Sequence, residues 1–230
     1  MKKNMEQIIN AFKHLKKILI HKYWVGLYCF KCGLYWRGLV HDLSKFSPTE
    51  FFESIKYYQG NSSPINAAKK DKGYSKALQH HKGRNKHHYE YWTDNYDSGT
   101  TCIKMPFIYA VEMLCDYLGA AHAYWGKSFS YTAEYDWWNE KRKIAKMHPS
   151  TKDFITHVLR ELAECEKCDY FINKILQYDN LLLIYQKYNQ NENKKHEQGQ
   201  NNEKDRKVEQ KQENLKQEKQ KNDTNVKKEN

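Results

Sequence analysis

The chain has 230 residues, of which 39 are Lys or Arg and 28 are Asp or Glu, so its formal net charge is +11. No apolar stretch approaches the roughly 20 residues of a membrane span, and the basic N-terminus lacks the apolar core of a secretion signal. Six cysteines are too few for a disulfide scaffold in a chain of this length. We therefore expect reduced thiols, a cytoplasmic location and no membrane partner.

Helical spacing of apolar residues predicts one all-α domain over residues 1–188. The clearest helix start is Ser47-Pro48-Thr49-Glu50, where Ser47 is the N-cap and Glu50 completes a capping box. Few Gly and Pro residues and no alternating apolar runs argue against a β-sandwich or a doubly wound sheet. The predicted helices span 4–32, 34–45, 48–59, 74–82, 87–92, 106–125, 132–146 and 150–188, the last with a break near 168, and 61–72 is predicted to be a polar loop.

The segment 189–230 is predicted to be a disordered tail rich in Lys, Glu, Gln and Asn. Its aliphatic residues are Val208, Leu215 and Val226 alone, too few to offset the entropy of ordering the chain. Its eleven basic and nine acidic residues nearly balance, so little nucleic-acid binding is expected from its charge.

Histidines and carboxylates are concentrated in one part of the domain. Eight of the 11 histidines lie between His14 and His122. Neutral imidazole and carboxylate groups are suitable ligands for divalent metals, and helical bundles build metal sites by presenting such groups from several helices. The candidate metal ligands are His21, His41, Asp42, His80, His81, His87, His88 and Asp116.

Each of these residues taken alone is more often a hydrogen-bonded structural group than a ligand. The combination favours a metal site, because Asp42 and Asp116 lie in apolar helical surroundings where an unpaired carboxylate is costly. Adjacent helical residues diverge by about 100°, so the sequence leaves open which member of each His pair faces the site.

The segment HDLSK at 41–45, preceded by His21 and followed by Asp116, resembles the HD-domain superfamily of metal-dependent phosphohydrolases. The resemblance implies a helical bundle, a first metal, and a lysine, Lys45, that contacts a substrate phosphate. It also implies a second metal held by added histidines, here His87-His88 and one of His80 and His81. The ligands that it implies for the first metal are His21, His41, Asp42 and Asp116.

At closer range, two segments are similar to an uncharacterised family of bacterial and phage proteins. They are RGLVHDLSKFSPTEFF and HHKGRNKHHYEYW, and the likeness covers most of residues 15–150. This family brings no established activity, so the functional expectation depends on the wider superfamily and on the chemistry of the residues.

We expect a phosphohydrolase that uses one or two divalent ions (Fe, Mn, Zn, Ni, Co or Mg) on a nucleotide or another small phosphorylated substrate. The metal would activate water and polarise a phosphoryl oxygen. The expected catalytic residues are Asp42, Lys45 and His81, and the expected substrate-binding residues are Lys45, Arg84 and Lys86.

Two other interpretations remain open. An HD-type di-iron oxygenase would use much the same ligands. A non-catalytic helical protein would instead bind nucleic acid or a protein partner through its basic surface.

Overall fold

The computed structural model describes residues 2–60, 63–97, 99–190 and 206, and within these ranges it confirms an all-α fold with one short β-hairpin. Contacts divide the chain into two units, 1–186 and 187–230. The predicted tail, apart from 189, 190 and 206, lies outside the described residues. The α-helices are α1 (Lys2–Lys31), α2 (Tyr35–Val40), α3 (Pro48–Lys56), α4 (Pro64–Lys72), α5 (Lys76–Arg84), α6 (Phe107–Trp125), α7 (Tyr131–Ile144), α8 (Pro149–Glu164), α9 (Asp169–Ile175) and α10 (178–190).

Short elements connect these helices. Turns of 3₁₀-helix lie at Leu43–Phe46, Tyr89–Trp92 and Gly126–Ser128. Strands β1 (Thr93–Tyr96) and β2 (Gly99–Cys102) pair antiparallel, with Thr93 opposite Cys102. No helix in the described ranges has both the length and the apolar run that crossing a bilayer requires.

The helix α6 lies at the centre of the fold, since 11 of its 19 residues are buried. It packs closely on α1 at Gly119, where a Cβ atom would lie 2.3 Å from Cγ2 of Val25 and 2.8 Å from its backbone nitrogen. His21 lies one helical turn before Val25, and Asp116 lies one turn before Gly119. The close approach therefore fixes these two side chains relative to each other.

The short helix α2 is held against the end of α1. Gly33, with φ +74°, ends α1 in the left-handed conformation that glycine adopts without strain. Lys22 of α1 donates from Nζ to the carbonyl oxygens of Leu39 and His41, at 2.6 and 2.9 Å. These bonds satisfy carbonyl groups at the C-terminal end of α2 and set the position of the His41–Asp42 pair.

The structure corrects four elements of the sequence prediction. The helix predicted over 150–188 with a break near 168 is interrupted a second time, at 176–177, between α9 and α10. The helix predicted at 34–45 ends at Val40, because Asp42 has a left-handed backbone with φ +54°. The loop predicted at 61–72 contains α4, which starts at Pro64 and ends at Lys72, where Gly73 with φ +80° caps it. Its polar composition hid this helix, whose buried side has only Ala68. The β-hairpin at 93–102 was not predicted.

Candidate metal centre

The structure brings seven of the eight candidate ligands into two groups that share Asp42. The first ligand group comprises His21, His41, Asp42 and Asp116, and all four residues are buried. His21 Nε2 lies 3.2 Å from Asp116 Oδ1 and 3.4 Å from Asp42 Oδ2. His41 Nε2 lies 3.3 Å from the same oxygen of Asp42. Helices α1 and α6 and the end of α2 thus converge on one point.

The second ligand group comprises Asp42, His81, His87 and His88. The Nε2 atoms of His81 and His87 lie 3.2 and 3.3 Å from Asp42 Oδ1. The ring of His88 packs against His87, with centroids 4.4 Å apart. His81 comes from α5, and the two later histidines come from the turn that follows this helix.

Asp42 lies between the two groups, because each of its carboxylate oxygens faces a different pair of imidazole nitrogens. Its left-handed backbone ends α2 and directs the side chain inward. Residues with unusual backbone angles persist where the surrounding structure holds them, and they are frequent at functional sites. This arrangement suits a carboxylate that bridges two metal ions.

The donor atoms themselves test whether a metal fits. Each of four buried Nε2 atoms has no partner in hydrogen-bond geometry within the described part of the chain. Buried polar atoms without partners are costly and uncommon in folded proteins. Imidazole nitrogens and carboxylate oxygens match the preferences of first-row divalent metals, so the residues fit such a group. The four nitrogens belong to His21, His41, His87 and His88.

Glu112 orients two of the histidines from behind. Its Oε1 accepts from Nδ1 of His41 at 3.1 Å and lies 3.4 Å from Nδ1 of His87. Its Oε2 accepts from Arg37, with Nη2 at 2.5 Å and Nε at 2.6 Å. Because a carboxylate only accepts, it fixes a proton on Nδ1 of His41 and leaves Nε2 with a free lone pair for a metal. Such carboxylate–histidine pairs support metal ligands in many proteins.

Glu50 does the same for the α5 histidines. Its Oε2 accepts from Nδ1 of His81 at 2.8 Å, and its Oε1 accepts from Nδ1 of His80 at 2.7 Å. His81 directs Nε2 toward Asp42, whereas His80 belongs to neither ligand group. The cause is the helix itself, since neighbouring side chains point in different directions. The structure therefore places His81 in the centre and His80 on Glu50.

Burial and neighbouring charges shift the pKa values of the residues in the two ligand groups. Burial alone would raise the pKa of Asp42, but His41, Lys45 and His81 hold it well below its usual range. Burial would likewise lower the pKa of His81, yet Asp42 and Glu50 raise it to about 9. The pKa of His88 falls well below its usual range, through burial and the charge of His87. A metal that binds here displaces protons from the histidines, so its affinity depends on pH.

The expected substrate-binding residues lie in different places. Lys45 Nζ is 2.6 Å from Asp42 Oδ2, and its side chain is 30% exposed, so it connects the centre to solvent. Arg84 and Lys86 are exposed and belong to neither ligand group. Lys86 instead lies over the rings of Tyr91 and Tyr109, with Nζ 5.8 Å from each centroid. Lys45 is the expected substrate-binding residue that contacts the ligand groups.

Three residues that support the candidate centre are not among the ligands, catalytic residues or substrate-binding residues expected from the sequence. Glu112 carries a readable signal, since it is a second carboxylate one turn before Asp116 on an apolar helix. Arg37, the partner of Glu112, comes four residues before His41 in the sequence, and both side chains contact Glu112. The sequence indicates a role for Glu50 in the capping box alone, and its backbone nitrogen does donate to Ser47 Oγ at 3.4 Å. Its carboxylate, however, accepts from His80 and His81 and does not cap the helix.

Comparison with known proteins adds a family. A model of a family of unknown function, DUF5662, matches residues 10–161, which include both ligand groups and Glu112. No curated protein and no solved structure is detectably similar to the chain. The match covers well over half of the sequence, and the chain therefore belongs to the DUF5662 family of unknown function.

Proposed function

We propose that the protein is a metal-dependent phosphohydrolase of the HD type that acts on a nucleotide or another small phosphorylated substrate. The observation that carries the proposal is the position of Asp42, whose two oxygens face two sets of histidine nitrogens while Lys45 lies beside it. The order of the residues along the chain, His…His-Asp…His…His-His…Asp, supports the relation to the HD superfamily.

The two ligand groups would hold one metal each, with Asp42 shared between them. When bound, divalent metals of this kind polarise phosphoryl oxygens and lower the pKa of coordinated water, which makes the water a better nucleophile. Glu112 and Glu50 keep the imidazole rings in the tautomer that presents Nε2. The protein thus supplies a pre-oriented set of donors that does not need to rearrange during the reaction.

Lys45 supplies the positive charge for a substrate phosphate. Its pKa is raised above the usual value, since the attraction of Asp42 and Asp116 outweighs burial, and it therefore stays charged at neutral pH. A cavity of about 60 Å³ beside it is lined by His14, Glu50 and His81, among others. This is roughly the volume of two water molecules, enough for a phosphoryl group but not for a nucleobase. The rest of the substrate would lie outside the cavity.

The donor set also suits iron, so an HD-type di-iron oxygenase is the second candidate. The observation in its favour is that the two groups together contain five imidazoles and two carboxylates, Asp42 and Asp116, and no thiolate. It differs from the first candidate in consuming oxygen and releasing no phosphate.

The test is a phosphatase and phosphodiesterase assay of the full chain reconstituted separately with Mn, Fe(II), Zn, Ni, Co or Mg. Suitable substrates are p-nitrophenyl phosphate, bis-p-nitrophenyl phosphate and a set of nucleotides. We expect phosphate or nitrophenol release that falls by about 100-fold or more in Asp42→Asn, because the shared ligand is lost. Lys45→Met should mainly raise KM, while Lys143→Met, which changes an exposed lysine of α7 outside both ligand groups, serves as the matched control. Metal-loaded protein that hydrolyses none of these substrates, but takes up oxygen with iron, would support the second candidate instead.

A further inference from the structure

A small pocket lies between α6 and α7, apart from both ligand groups. Tyr117 and Trp125 of α6 and Trp137 of α7 line it, and Ala120 and Ala121 complete its wall. Its volume is about 110 Å³, which suits a small chemical group rather than a nucleotide. The pocket therefore selects by size for a ligand of a few heavy atoms.

Glu134 lines the same pocket and is only 3% exposed. The structure gives its carboxylate no ion pair and no hydrogen bond among the described residues. The other buried acids differ, since each has a histidine, lysine or arginine beside it: Asp42, Glu50, Glu112 and Asp116. Burial, together with the charge of Asp116, raises the pKa of Glu134 to about 8. A cation in the pocket would relieve the cost of ionising this group.

The aromatic walls also favour positive charge. The rings of Tyr117 and Trp137 meet at an interplanar angle of 70°, with centroids 5.4 Å apart, as adjacent sides of a cage. Aromatic faces attract cations through their quadrupole, and cages of this kind recognise quaternary ammonium groups. Trp125 and Trp137 are 36% and 41% exposed, so a ligand reaches the pocket from solvent. No Lys or Arg is among its lining residues.

We propose that this pocket binds a methylated ammonium group, with its charge toward Glu134 and its methyl groups against the three aromatic rings. A metal ion is a poorer occupant, because Glu134 is the only acidic residue in the lining. A primary ammonium is also poorer, because its three donors need more acceptors than one carboxylate and the indole rings provide. The site is independent of the proposed hydrolase activity.

The test is calorimetric titration of the full chain with choline and with tetramethylammonium, at constant ionic strength. The neutral alcohol 3,3-dimethylbutan-1-ol has the shape of choline without its charge and serves as the matched ligand. We expect saturable binding of both cations, and binding of the alcohol weaker by about tenfold or more. Absence of saturable binding of the cations, or equal affinity for the alcohol, would overturn the proposal.

Substitutions inside and outside the pocket test whether choline binds there. At pH 9, where Glu134 is ionised, Trp137→Ala and Glu134→Gln should each weaken choline binding by about fivefold or more, because one removes an aromatic wall and the other the charge. Trp36→Ala and Glu140→Gln change an exposed tryptophan and an exposed glutamate outside the pocket, and they should leave the affinity unchanged. Unchanged affinity in both pocket variants would show that choline binds elsewhere and would contradict the assignment.

Discussion

Glu112 accepts a hydrogen bond from Nδ1 of His41 at 3.1 Å, and this contact determines that Nε2 is the ring nitrogen presented to the candidate metal ligands Asp42 and Asp116. Glu112 is completely buried, and burial alone would raise its pKa. The hydrogen bond from His41 and the nearby imidazole of His87 outweigh burial and hold the pKa of Glu112 at about 2. The carboxylate is therefore ionised throughout the physiological range and keeps both rings oriented.

The first prediction concerns this contact. Glu112→Gln should lower metal affinity by about 10- to 100-fold, because the uncharged amide no longer fixes the tautomer of His41. Binding of a metal such as Zn or Mn, measured by calorimetry, checks it. Glu140→Gln, on the exposed side of α7, is the matched control. Equal affinity in the Glu112 variant and the wild type would show that the orienting contact does not matter for binding.

The second prediction separates the two neighbouring histidines of α5. His81→Asn should remove a ligand of the second group and lower the amount of bound metal, whereas His80→Asn should not. The pair is well matched, because each histidine bonds one oxygen of Glu50 and each variant leaves the other bond in place. Elemental analysis of both variants gives the answer. A larger loss of bound metal in the His80 variant than in the His81 variant would contradict the orientation of α5 that directs His81 toward Asp42.

The third prediction concerns the approach of α1 to α6. Gly119→Ala should lower the free energy of unfolding by about 1–3 kcal/mol, because the new Cβ would overlap Val25 and push the helices apart. Metal affinity should fall as well, since His21 and Asp116 lie on these two helices. Gly83→Ala is the control: no described atom lies within 4 Å of its Cβ, and it should stabilise α5 by about 0.5–1 kcal/mol. Urea unfolding curves measure both effects.

The fourth prediction is a pH dependence set by Glu134. Its pKa rises from 4.5 in the unfolded chain to about 8 in the folded protein, so the folded state binds more protons between these values. Stability should therefore fall as pH rises from about 4.5 to about 8, and one pKa unit corresponds to about 1.4 kcal/mol.

Glu134→Gln should remove the pH dependence of stability that Glu134 causes, without changing the shape of the side chain. The variant should unfold at a higher urea concentration than the wild type at pH 8 and at nearly the same concentration at pH 5. Unfolding curves at both pH values test this. The same difference between variant and wild type at both pH values would contradict a buried, protonated Glu134.

The sequence predicted where the helices lie along the chain better than which face of each helix is buried. The spacing of Ile8, Phe12 and Leu19 correctly placed them on one face of α1, yet these side chains are 53%, 69% and 52% exposed. The buried face of α1 instead carries Val25 and Cys29, among others. Periodicity shows that a helix has an apolar face, but which face meets α6 depends on fit, here on the contact at Gly119.

The candidate ligands were readable because imidazole and carboxylate groups in apolar surroundings are unusual. The residues that support these ligands were harder to identify from the sequence, because the ion pair of Glu112 with Arg37 joins two helices that are far apart in the sequence. The choice of His81 over His80 also required the structure, since it depends on the rotation of α5 about its own axis. The left-handed Asp42 broke a helix that the local sequence favours.

Asp42 joins the two groups of candidate metal ligands. The most direct measurement is elemental analysis by inductively coupled plasma mass spectrometry of the full chain and of Asp42→Asn, each reconstituted with Mn, Fe, Zn or Ni and then desalted. We expect about one or two equivalents of metal in the wild type and a loss of most of it in the variant, because Asp42 belongs to both groups. A wild-type protein that retains none of these metals, or a variant that retains as much as the wild type, would contradict this expectation.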